Sequence, residues 1–403
     1  MKFGVTGVTV SGNMGGAAML AATLDEMSVR YPRASFRLFS ISPKRDRARN
    51  GDERLAIVDA RPVPLLLVYL PLCILFWPLR NIAAIRRLIV AIPFFRQMSA
   101  VDAVIDLSGI AFVDGRGLPL LGYNVACCLP ALFLGKPVAK LAQALGPFDT
   151  QPNRMLARFV LARCATVVAR GERSLSHLRE LDISDAQCLP DTSFAMSVSD
   201  VHKQAVQQLL PAIAPGRQLL VASPSEVVRR LSAKAGIDFE AEFCAFAKRR
   251  LCEEWDIVLV PHSLGSGTSK NNDLDLCRRI VSTLSDDRVH MIEPVEDARV
   301  LRAAIGFADV FVGCRFHSVV AALAMGVPSL VVGWSHKYQE MTEMLQPGAW
   351  ALDAAHVSAA SLDEAFGRLV AEAPTLRKDI ADRLPDIRRR ASCNFDLVKV
   401  DET

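Results

Sequence analysis

The chain has no C-x-x-C pair and no large excess of charge of either sign. Its ten cysteines are scattered along 403 residues, which argues against a zinc ribbon or a disulfide framework and is typical of a reducing compartment. The first residues, MKFGVTGVTV, lack the charged head, apolar run and cleavage site of a secretory signal. A net charge of +4 is too small over this length to indicate a nucleic-acid partner. We therefore expect a cytoplasmic protein that does not bind nucleic acid.

Apolar residues, in contrast, make up 51% of the chain, which is ample material for large cores. Short apolar segments alternate with helical patterns, a sequence typical of parallel sheets covered on both faces. The predicted strands are 3–10, 36–41, 103–107, 137–141, 166–169, 218–222, 257–260, 289–292, 310–312 and 329–332, and a basic loop is predicted at 43–54. A break near 189–215 divides the chain into domains 1–195 and 196–403. We expect an α/β fold of two Rossmann-like, doubly wound domains with a cleft between them.

One segment, 63–97, fits this pattern poorly because it begins with the apolar run VPLLLVYLPLCILFWPL. A bilayer span needs about 20 apolar residues, and three prolines in this shorter run would each remove a helix hydrogen bond, so we exclude a span. Two interpretations remain open. The segment is either a helix pair buried in the core or a helical hairpin lying in the membrane interface. In the second case Arg80, Arg86, Arg87 and Arg96 would meet anionic head groups, with Tyr69 and Trp77 at the boundary.

The densest group of chemistry-bearing residues is at 308–341. An apolar strand ends at Gly313 and is followed by the loop CRFHS, which the carboxyl-end rule for α/β sheets places at a ligand crevice. Arg315 offers a planar fork for a carboxylate or phosphate, and His317 can transfer a proton near neutral pH. The helix amides near Ser318 and the side chain of Lys337 would add positive charge. Alternatively, Arg315 caps a helix or pairs with Asp309, and His317 is a buried structural residue.

Two further segments are candidate ligand sites. His262 and Ser263 follow another predicted strand and precede a Gly/Ser-rich loop. The turn formed by Gly12, Asn13, Gly15 and Gly16 would let a ligand approach the backbone, although its spacing differs from the dinucleotide-binding G-x-G-x-x-G. A loop histidine bonded to its own backbone and a plain tight turn are the structural alternatives.

The order of these motifs resembles the polysaccharide pyruvyl transferase family. That family has an R-x-H-[SA] loop, an A-L-x-x-G-x-P helix end and then an aromatic residue shortly before a Lys. The corresponding residues here are Arg315, His317, Ser318, Ala322, Leu323, Gly326, Pro328, Trp334 and Lys337. The segments GNMGGAAML at 12–20, QALGPF at 143–148, VVARGERSLSHL at 167–178 and LPDTSF at 189–194 are also similar to family motifs.

The resemblance implies a GT-B-like fold and transfer of pyruvate from phosphoenolpyruvate onto two hydroxyls of a sugar, forming a cyclic ketal and releasing phosphate. Domain 196–403 would hold phosphoenolpyruvate and domain 1–195 the acceptor, with the last helices able to pack back on the first domain. His317, Arg315 and Lys337 would be catalytic, with His317 as the acid. The substrate-binding residues would be Arg170, Ser318, His262, Ser263, Gly12, Asn13, Gly15, Gly16 and Gln143.

We expect no metal and no cofactor, since phosphoenolpyruvate is a co-substrate. The acceptor would be a sugar, lipid-linked if segment 63–97 docks on the inner face of the cytoplasmic membrane. Two other functions stay open. One is a GT-B glycosyltransferase with a nucleotide-sugar donor. Such an enzyme usually has an acidic residue that binds the ribose, and this chain has Ala321, Ala322 and Ala324 in the place where that residue is expected. The other is a non-catalytic scaffold at the membrane. The acceptor's identity and the oligomeric state are not predicted.

Overall fold

The chain folds into two compact units. The structure, a computed structural model, describes residues 1–210, 214, 216–265, 271–333 and 336–400, with the side chains of residues 336 and 337 outside the description. The N-terminal unit contains Met1–Ser11, Met19–Ala195 and Arg389–Thr403, and the C-terminal unit contains Gly12–Ala18 and Met196–Arg388. The helices Met14–Arg30 and Ala359–Asp396 therefore contribute residues to both units.

The N-terminal unit is built on a parallel sheet. Its strands are β1 (Lys2–Thr6), β2 (Ser35–Ser40), β3 (Leu55–Asp59), β4 (Ala103–Asp106), β5 (Ile110–Ala111), β6 (Val138–Leu145), β7 (Thr166–Ala169) and β8 (Gln187–Cys188). They lie in the order β3-β2-β1-β4-β6-β7-β8, with β5 paired to β6. Because the order reverses between β1 and β4, the loops after these strands lie at a topological switch point, where α/β sheets bind ligands.

Helices connect these strands. They are α1 (Met14–Arg30), α2 (Pro43–Arg49), α3 (Pro62–Pro64), α4 (Leu70–Leu75), α5 (Ala83–Val90), α6 (Pro93–Ser99), α7 (Leu118–Ala126), α8 (Leu129–Phe133), α9 (Gln151–Leu161) and α10 (Glu172–Glu180), with a π-helical turn at Leu65–Tyr69 and 3₁₀ turns at Trp77–Leu79 and Thr192–Ala195. Apolar side chains from α4 to α10 and from the strands β2 and β4 to β7 form a continuous core.

The C-terminal unit repeats the architecture. Its strands are β9 (Gln218–Ser223), β10 (Trp255–Leu259), β11 (Val289–Met291), β12 (Val310–Gly313), β13 (Ser329–Gly333) and β14 (Ala351–Asp353), in the parallel order β11-β10-β9-β12-β13-β14. Its helices are α11 (Asp200–Gln207), α12 (Glu226–Lys234), α13 (Phe239–Cys252), α14 (Asp273–Leu284), α15 (Ala298–Ile305), α16 (Phe316–Ala324), α17 (His336–Leu345) and α18 (Ala359–Asp396). Here the order reverses between β9 and β12.

All ten predicted strands are present, with bounds that differ by a few residues. The predicted basic loop 43–54 is wrong in its first part, which is the helix α2. Pro43 starts that helix because its fixed φ suits the first helical position. Buried Asp46 then accepts hydrogen bonds from the Ser11 amide at 3.0 Å and from the Ser11 and Ser40 hydroxyls at 2.6 Å each. The first strand, predicted to reach Val10, ends at Thr6 because Gly7 has a φ of 82° and turns the chain.

Segment 63–97 forms short helices with one buried and one exposed apolar face. The π-helical turn at Leu65–Tyr69 precedes Pro71, which cannot donate the regular helix hydrogen bond. Leu65, Leu70 and Cys73 are buried in the core, so the helices are anchored to the sheet. Val63, Leu67, Val68, Ile74 and Leu75 are 47–71% exposed. The segment is therefore partly buried in the core and partly exposed, and no helix in the described ranges is long and apolar enough to cross a bilayer.

Candidate active site in the C-terminal unit

The Gly-rich turn before α1 lies against the loop that follows β10. Asn13 and Ser263 form an isolated antiparallel bridge, and the Leu264 amide donates to the Gly12 carbonyl at 2.6 Å. The Met14 amide donates to the His262 carbonyl at 3.2 Å. The Asn13 side chain accepts from the Gly15 amide at 3.1 Å, which is the usual way an Asn starts a helix. Two segments that were separate candidates in the sequence are thus one contiguous structure.

His317 joins this structure through Gly15. A Cβ atom added at Gly15 would lie 2.3 Å from the Nδ1 atom of His317 and 2.5 Å from its Cγ atom. No side chain can therefore be tolerated at residue 15 with the ring in this place. His317 lies in the first turn of α16, directly after β12, and its ring meets that of Phe316 edge-on at 5.2 Å. The glycine predicted to allow a ligand near the backbone instead makes room for the histidine.

Arg315 is paired with Asp273 and not with Asp309. Its Nε and Nη2 atoms donate to the two carboxylate oxygens of Asp273 at 2.9 and 2.7 Å. The same carboxylate accepts from the Glu226 and Ser263 amides at 3.0 Å each. Asp309 accepts from the Leu219 amide at 2.8 Å, at the other end of its strand. Asp273 therefore ties together the loops after β9, β10 and β12.

The bidentate face of Arg315 is thus occupied by a protein carboxylate. Its side chain is 18% exposed, against 0% for Asp273. An anionic ligand would meet the remaining Nη1 edge of a guanidinium whose position is fixed, and would not replace Asp273 in the fork. Sequence reasoning missed Asp273 because it starts a helix, and an acidic residue in a first turn is explained by helix stability alone.

The electrostatics of the site keep His262 neutral. Burial, followed by the nearby charges of His317, Arg315 and Arg302, lowers the pKa of His262 well below 6.5. Burial raises the pKa of Asp273, and this effect exceeds the opposing effects of Arg315 and of the Glu226 and Ser263 amides. A neutral His262 can accept or relay a proton but does not carry one into the reaction.

The other predicted site residues lie elsewhere or are used within the fold. The Ser318 hydroxyl and amide both donate to the Arg315 carbonyl, at 2.8 and 3.1 Å. The Ser318 amide is therefore used within the helix, whereas the sequence predicted that the amides near Ser318 point at a ligand. Gly16 is buried within α1. Lys337 has its backbone in α17, and its side chain is outside the described residues, as is Trp334.

Arg170 and Gln143 belong to the N-terminal unit, and both are buried. The Arg170 guanidinium donates to the Asp191 carboxylate at 2.6 Å, and the Gln143 amide donates to the Asp106 carbonyl at 2.8 Å. They are therefore residues of a different unit from the cluster of Arg315, His317 and His262. Their substrate-binding roles stay predictions.

What the cluster offers chemically is a fixed cation, a neutral imidazole and a second imidazole at the carboxyl edge of one sheet. Arg315 and His317 follow β12, and His262 follows β10, on either side of the strand β9. This is the switch point of the sheet, where an open α/β domain binds its ligand. The set suits an anionic substrate that must gain a proton.

Comparisons with known proteins show the family and the fold of the chain. The family model "Polysaccharide pyruvyl transferase" matches residues 13–336. The amylovoran biosynthesis protein AmsJ of Erwinia amylovora is 23% identical over 265 residues, a match that spans 60% of this chain and only 59% of AmsJ.

Among solved structures, the UDP-GlcNAc 2-epimerase of Neisseria meningitidis, bound to UDP-GlcNAc, has a TM-score of 0.64 at 12% identity, over 98% of this chain and 99% of that one. The trehalose-phosphate synthase of Burkholderia vietnamiensis has a TM-score of 0.55 at 13% identity, over 98% of both chains. These likenesses confirm the predicted GT-B-like fold of two parallel-sheet α/β domains. The family match over most of the chain shows that it belongs to the polysaccharide pyruvyl transferase family.

Proposed function

We propose that the protein transfers the pyruvyl group of phosphoenolpyruvate to two hydroxyls of a sugar in polysaccharide biosynthesis. The observation that carries the proposal is the fixed cluster of Arg315, His317 and His262 at the switch point of the C-terminal sheet. Family membership supports it, since the matched region contains every residue of this cluster.

The reaction balances without water or an oxidant. One phosphoenolpyruvate and one sugar give one cyclic ketal and one inorganic phosphate. A proton is added to the methylene carbon while the first hydroxyl oxygen bonds to the neighbouring carbon. The second hydroxyl oxygen then displaces phosphate from that same carbon. Of the two hydroxyl protons, one replaces the proton delivered to the methylene carbon and the other leaves with the phosphate.

Each residue of the cluster has a part in this scheme. The Nη1 edge of Arg315 binds an anionic group of phosphoenolpyruvate, and the Asp273 pair fixes the direction of that edge. His317 delivers the proton to the methylene carbon. His262, kept neutral by burial, accepts a hydroxyl proton from the sugar.

For the acceptor we propose a lipid-linked sugar at the inner face of the cytoplasmic membrane. The support is the exposed apolar face at Val63, Leu67, Val68, Ile74 and Leu75, a larger run than a solvated helix normally exposes. The amylovoran biosynthesis protein to which the chain is similar is named for the making of an exopolysaccharide. A soluble sugar acceptor is the alternative that the assay below distinguishes.

The test is incubation of the protein with phosphoenolpyruvate and a panel of lipid-linked, nucleotide-linked and free sugars. We expect phosphate release that depends on one sugar class, with an equal molar yield of a product heavier by one pyruvate less one water. Turnover of a nucleotide sugar with release of UDP would instead identify a glycosyltransferase. Arg315 paired with a buried carboxylate also fits a scaffold, and the absence of turnover or binding with any donor would support that function.

The contact between Gly15 and His317 gives a second test. In Gly15→Ala the new methyl group must displace the ring of His317, because the two cannot be 2.3 Å apart. We expect kcat to fall while phosphoenolpyruvate binding is kept. The matched control is Gly367→Ala, since a Cβ at that helical glycine meets nothing within 4 Å. Equal activity of both variants would remove His317 from the reaction.

A further inference from the structure

A cavity of about 360 Å³ lies at the end of the apolar segment in the N-terminal unit. It is lined by Trp77, Arg80, Leu132, Gly135, Lys136, Pro137 and Arg163. Residues 135–137 directly precede β6, and Arg163 follows α9 and precedes β7. The cavity is therefore at the amino edge of the sheet, the edge opposite the loops after β1 and β4. Its volume is within the range of small-molecule sites.

The polar side chains of this cavity are all cationic. Arg80, Lys136 and Arg163 line it without a carboxylate, and none of the three forms an ion pair with any residue in the described part of the chain. Other arginines of this unit do form ion pairs with carboxylates, as Arg30, Arg54 and Arg170 illustrate. Three cations around one cavity repel each other, so the site favours an anion.

Two of the cations are held in place by aromatic rings. The Arg80 guanidinium lies 4.4 Å from the ring centroid of Trp77 and donates to the Trp77 carbonyl at 3.3 Å. The Arg163 guanidinium lies 4.0 Å from the ring of Phe159 and donates to its carbonyl at 2.8 Å. The two rings contact each other edge-on at 5.2 Å. Stacking uses the faces of the guanidinium groups and leaves N–H edges for a ligand, so little ordering is needed on binding.

Exposed apolar side chains neighbour the lining residues Trp77 and Arg80 in the chain. Leu75, Leu79 and Ile82, on either side of Trp77 and Arg80 in the chain, are 70%, 41% and 48% exposed, and Leu88 on α5 is 64% exposed. A free phosphate compound would need only the cations. Cations next to a set of exposed aliphatic side chains match the charge and the acyl boundary of a phospholipid together.

We propose that this cavity binds the phosphate head group of an anionic membrane lipid, with the exposed side chains around it inserted among the acyl chains. The site is separate from the cluster of the C-terminal unit and does not depend on the proposed reaction. The structure also determines which residues can be substituted to test membrane docking. Leu72, Phe76 and Trp77 pack against the core, so only exposed residues such as Leu75 can be replaced without damage to the fold. Tyr69, predicted at the membrane boundary, instead stacks on Phe94 at 4.4 Å.

The experiment is flotation of the full chain with vesicles of phosphatidylcholine alone or with 30% phosphatidylglycerol. The variant Lys136→Gln/Arg163→Gln removes two cavity charges, and the control Arg87→Gln/Arg96→Gln removes two exposed charges of the same segment that do not line the cavity. We expect the cavity variant to bind the anionic vesicles about 25-fold more weakly, because each of the two cations removed from the lipid-binding cavity contributes roughly a factor of five. The control should lose only a few-fold, and equal losses would overturn the cavity in favour of general surface charge.

Two further arms separate the lipid from other ligands and from misfolding. Leu75→Ser/Leu79→Ser should weaken binding to both vesicle types, whereas the control Val29→Ser/Val201→Ser, on exposed residues of other helices, should not. Inorganic phosphate and glycerol phosphate, added without vesicles, should not raise the melting temperature at micromolar concentration. A rise that Lys136→Gln/Arg163→Gln abolishes would assign the cavity to a soluble anion and contradict the proposal. All variants should melt within a few degrees of the wild type.

Discussion

Each unit contains a buried aspartate paired with a cation near the carboxyl end of its sheet, and the two pairs differ in kind. In the N-terminal unit, Asp106 and Lys140 are both 0% exposed. Asp106 also accepts from the Ser108 amide and hydroxyl at 2.9 and 2.7 Å. In the C-terminal unit, Asp273 is 0% exposed but its partner Arg315 is 18% exposed. Both members of the first, closed pair are buried, whereas the cation of the second, open pair is partly exposed.

The pKa values of the two carboxyl groups also differ, since that of Asp106 is lowered and that of Asp273 is raised. Burial has the largest effect and acts to raise the pKa of Asp106, but the charge of Lys140 and the hydrogen bonds from Lys140 and Ser108 together outweigh it, and the pKa is lowered. Burial raises the pKa of Asp273 despite Arg315, since the attraction to a partly solvated cation is weaker. A closed pair stabilises its ionised carboxylate and serves the fold. The open pair holds a cation at the surface at some cost to stability, as expected of a functional site.

The largest expected effect is on folding, from Asp106→Asn. This change leaves the charge of Lys140 buried without its carboxylate, and we expect the free energy of unfolding of the N-terminal unit to fall by about 3 to 5 kcal/mol. Asp273→Asn should cost less, because the native state there disfavours the ionised carboxyl group. Urea titration of both variants measures the difference. Equal losses would mean that the two pairs are not different in kind.

The largest expected effect on chemistry is from His317→Gln. We expect kcat to fall by roughly 10² to 10⁴, the usual contribution of a positioned general acid, with phosphoenolpyruvate binding and fold retained. Pre-steady-state and steady-state rates across the pH range provide the measurement. A pH profile of unchanged shape would assign the proton transfer to a group other than His317.

A smaller effect on activity is expected from Arg315→Lys. An ammonium group keeps the charge but cannot bond both oxygens of Asp273 and face a ligand at once. The loss of one charge-assisted hydrogen bond corresponds to about a tenfold to hundredfold loss in kcat/KM, which is most of the activity. Lys140→Arg is the comparison in the closed pair, and it should affect stability more than kinetics. Near-normal turnover by Arg315→Lys would remove Arg315 from the donor site.

The smallest expected effect is a pH dependence due to His262. Its native pKa is far below 6.5, so at pH values below about 6.5 the unfolded chain binds a proton that the native state does not. The stability that His262 contributes is complete above pH 6.5 and falls by about 1.4 kcal/mol per unit as the pH is lowered below it. His262→Gln should remove this slope from the stability of the C-terminal unit. Identical slopes in the two proteins would show that His262 is not buried as described.

Much of the fold could be predicted because it depends on local patterns. The apolar composition of the strands predicts them directly. The segments 12–16 and CRFHS each follow a strand, which predicts that they lie at the carboxyl edge of a sheet. The helix α2 was missed because it is held by hydrogen bonds of Asp46, and one of the partners, Ser11, is 35 residues away in the sequence. Basic composition alone favours a solvated loop.

The partners within the site could not be predicted. The predicted partner of Arg315 was Asp309, which is close to it in the chain, whereas Asp273 reaches Arg315 only through the parallel pairing of β9, β10 and β12. Lys140 gave no signal either, because a lone Lys in the apolar stretch VAKLA is normally a solvated strand residue. The exposed face of segment 63–97 depends on which side of each helix the sheet covers, and both sides have the same apolar composition.

The most direct test of the central claim is a reaction with phosphoenolpyruvate and the acceptor sugar in deuterium oxide. If the C-terminal cluster protonates the methylene carbon, the methyl group of the ketal product will contain one deuterium, and His317→Gln will form this product much more slowly. Mass spectrometry and proton NMR of the purified product provide the measurement. A product without deuterium in its methyl group, or a sugar product formed at the same rate without phosphoenolpyruvate, would contradict the account.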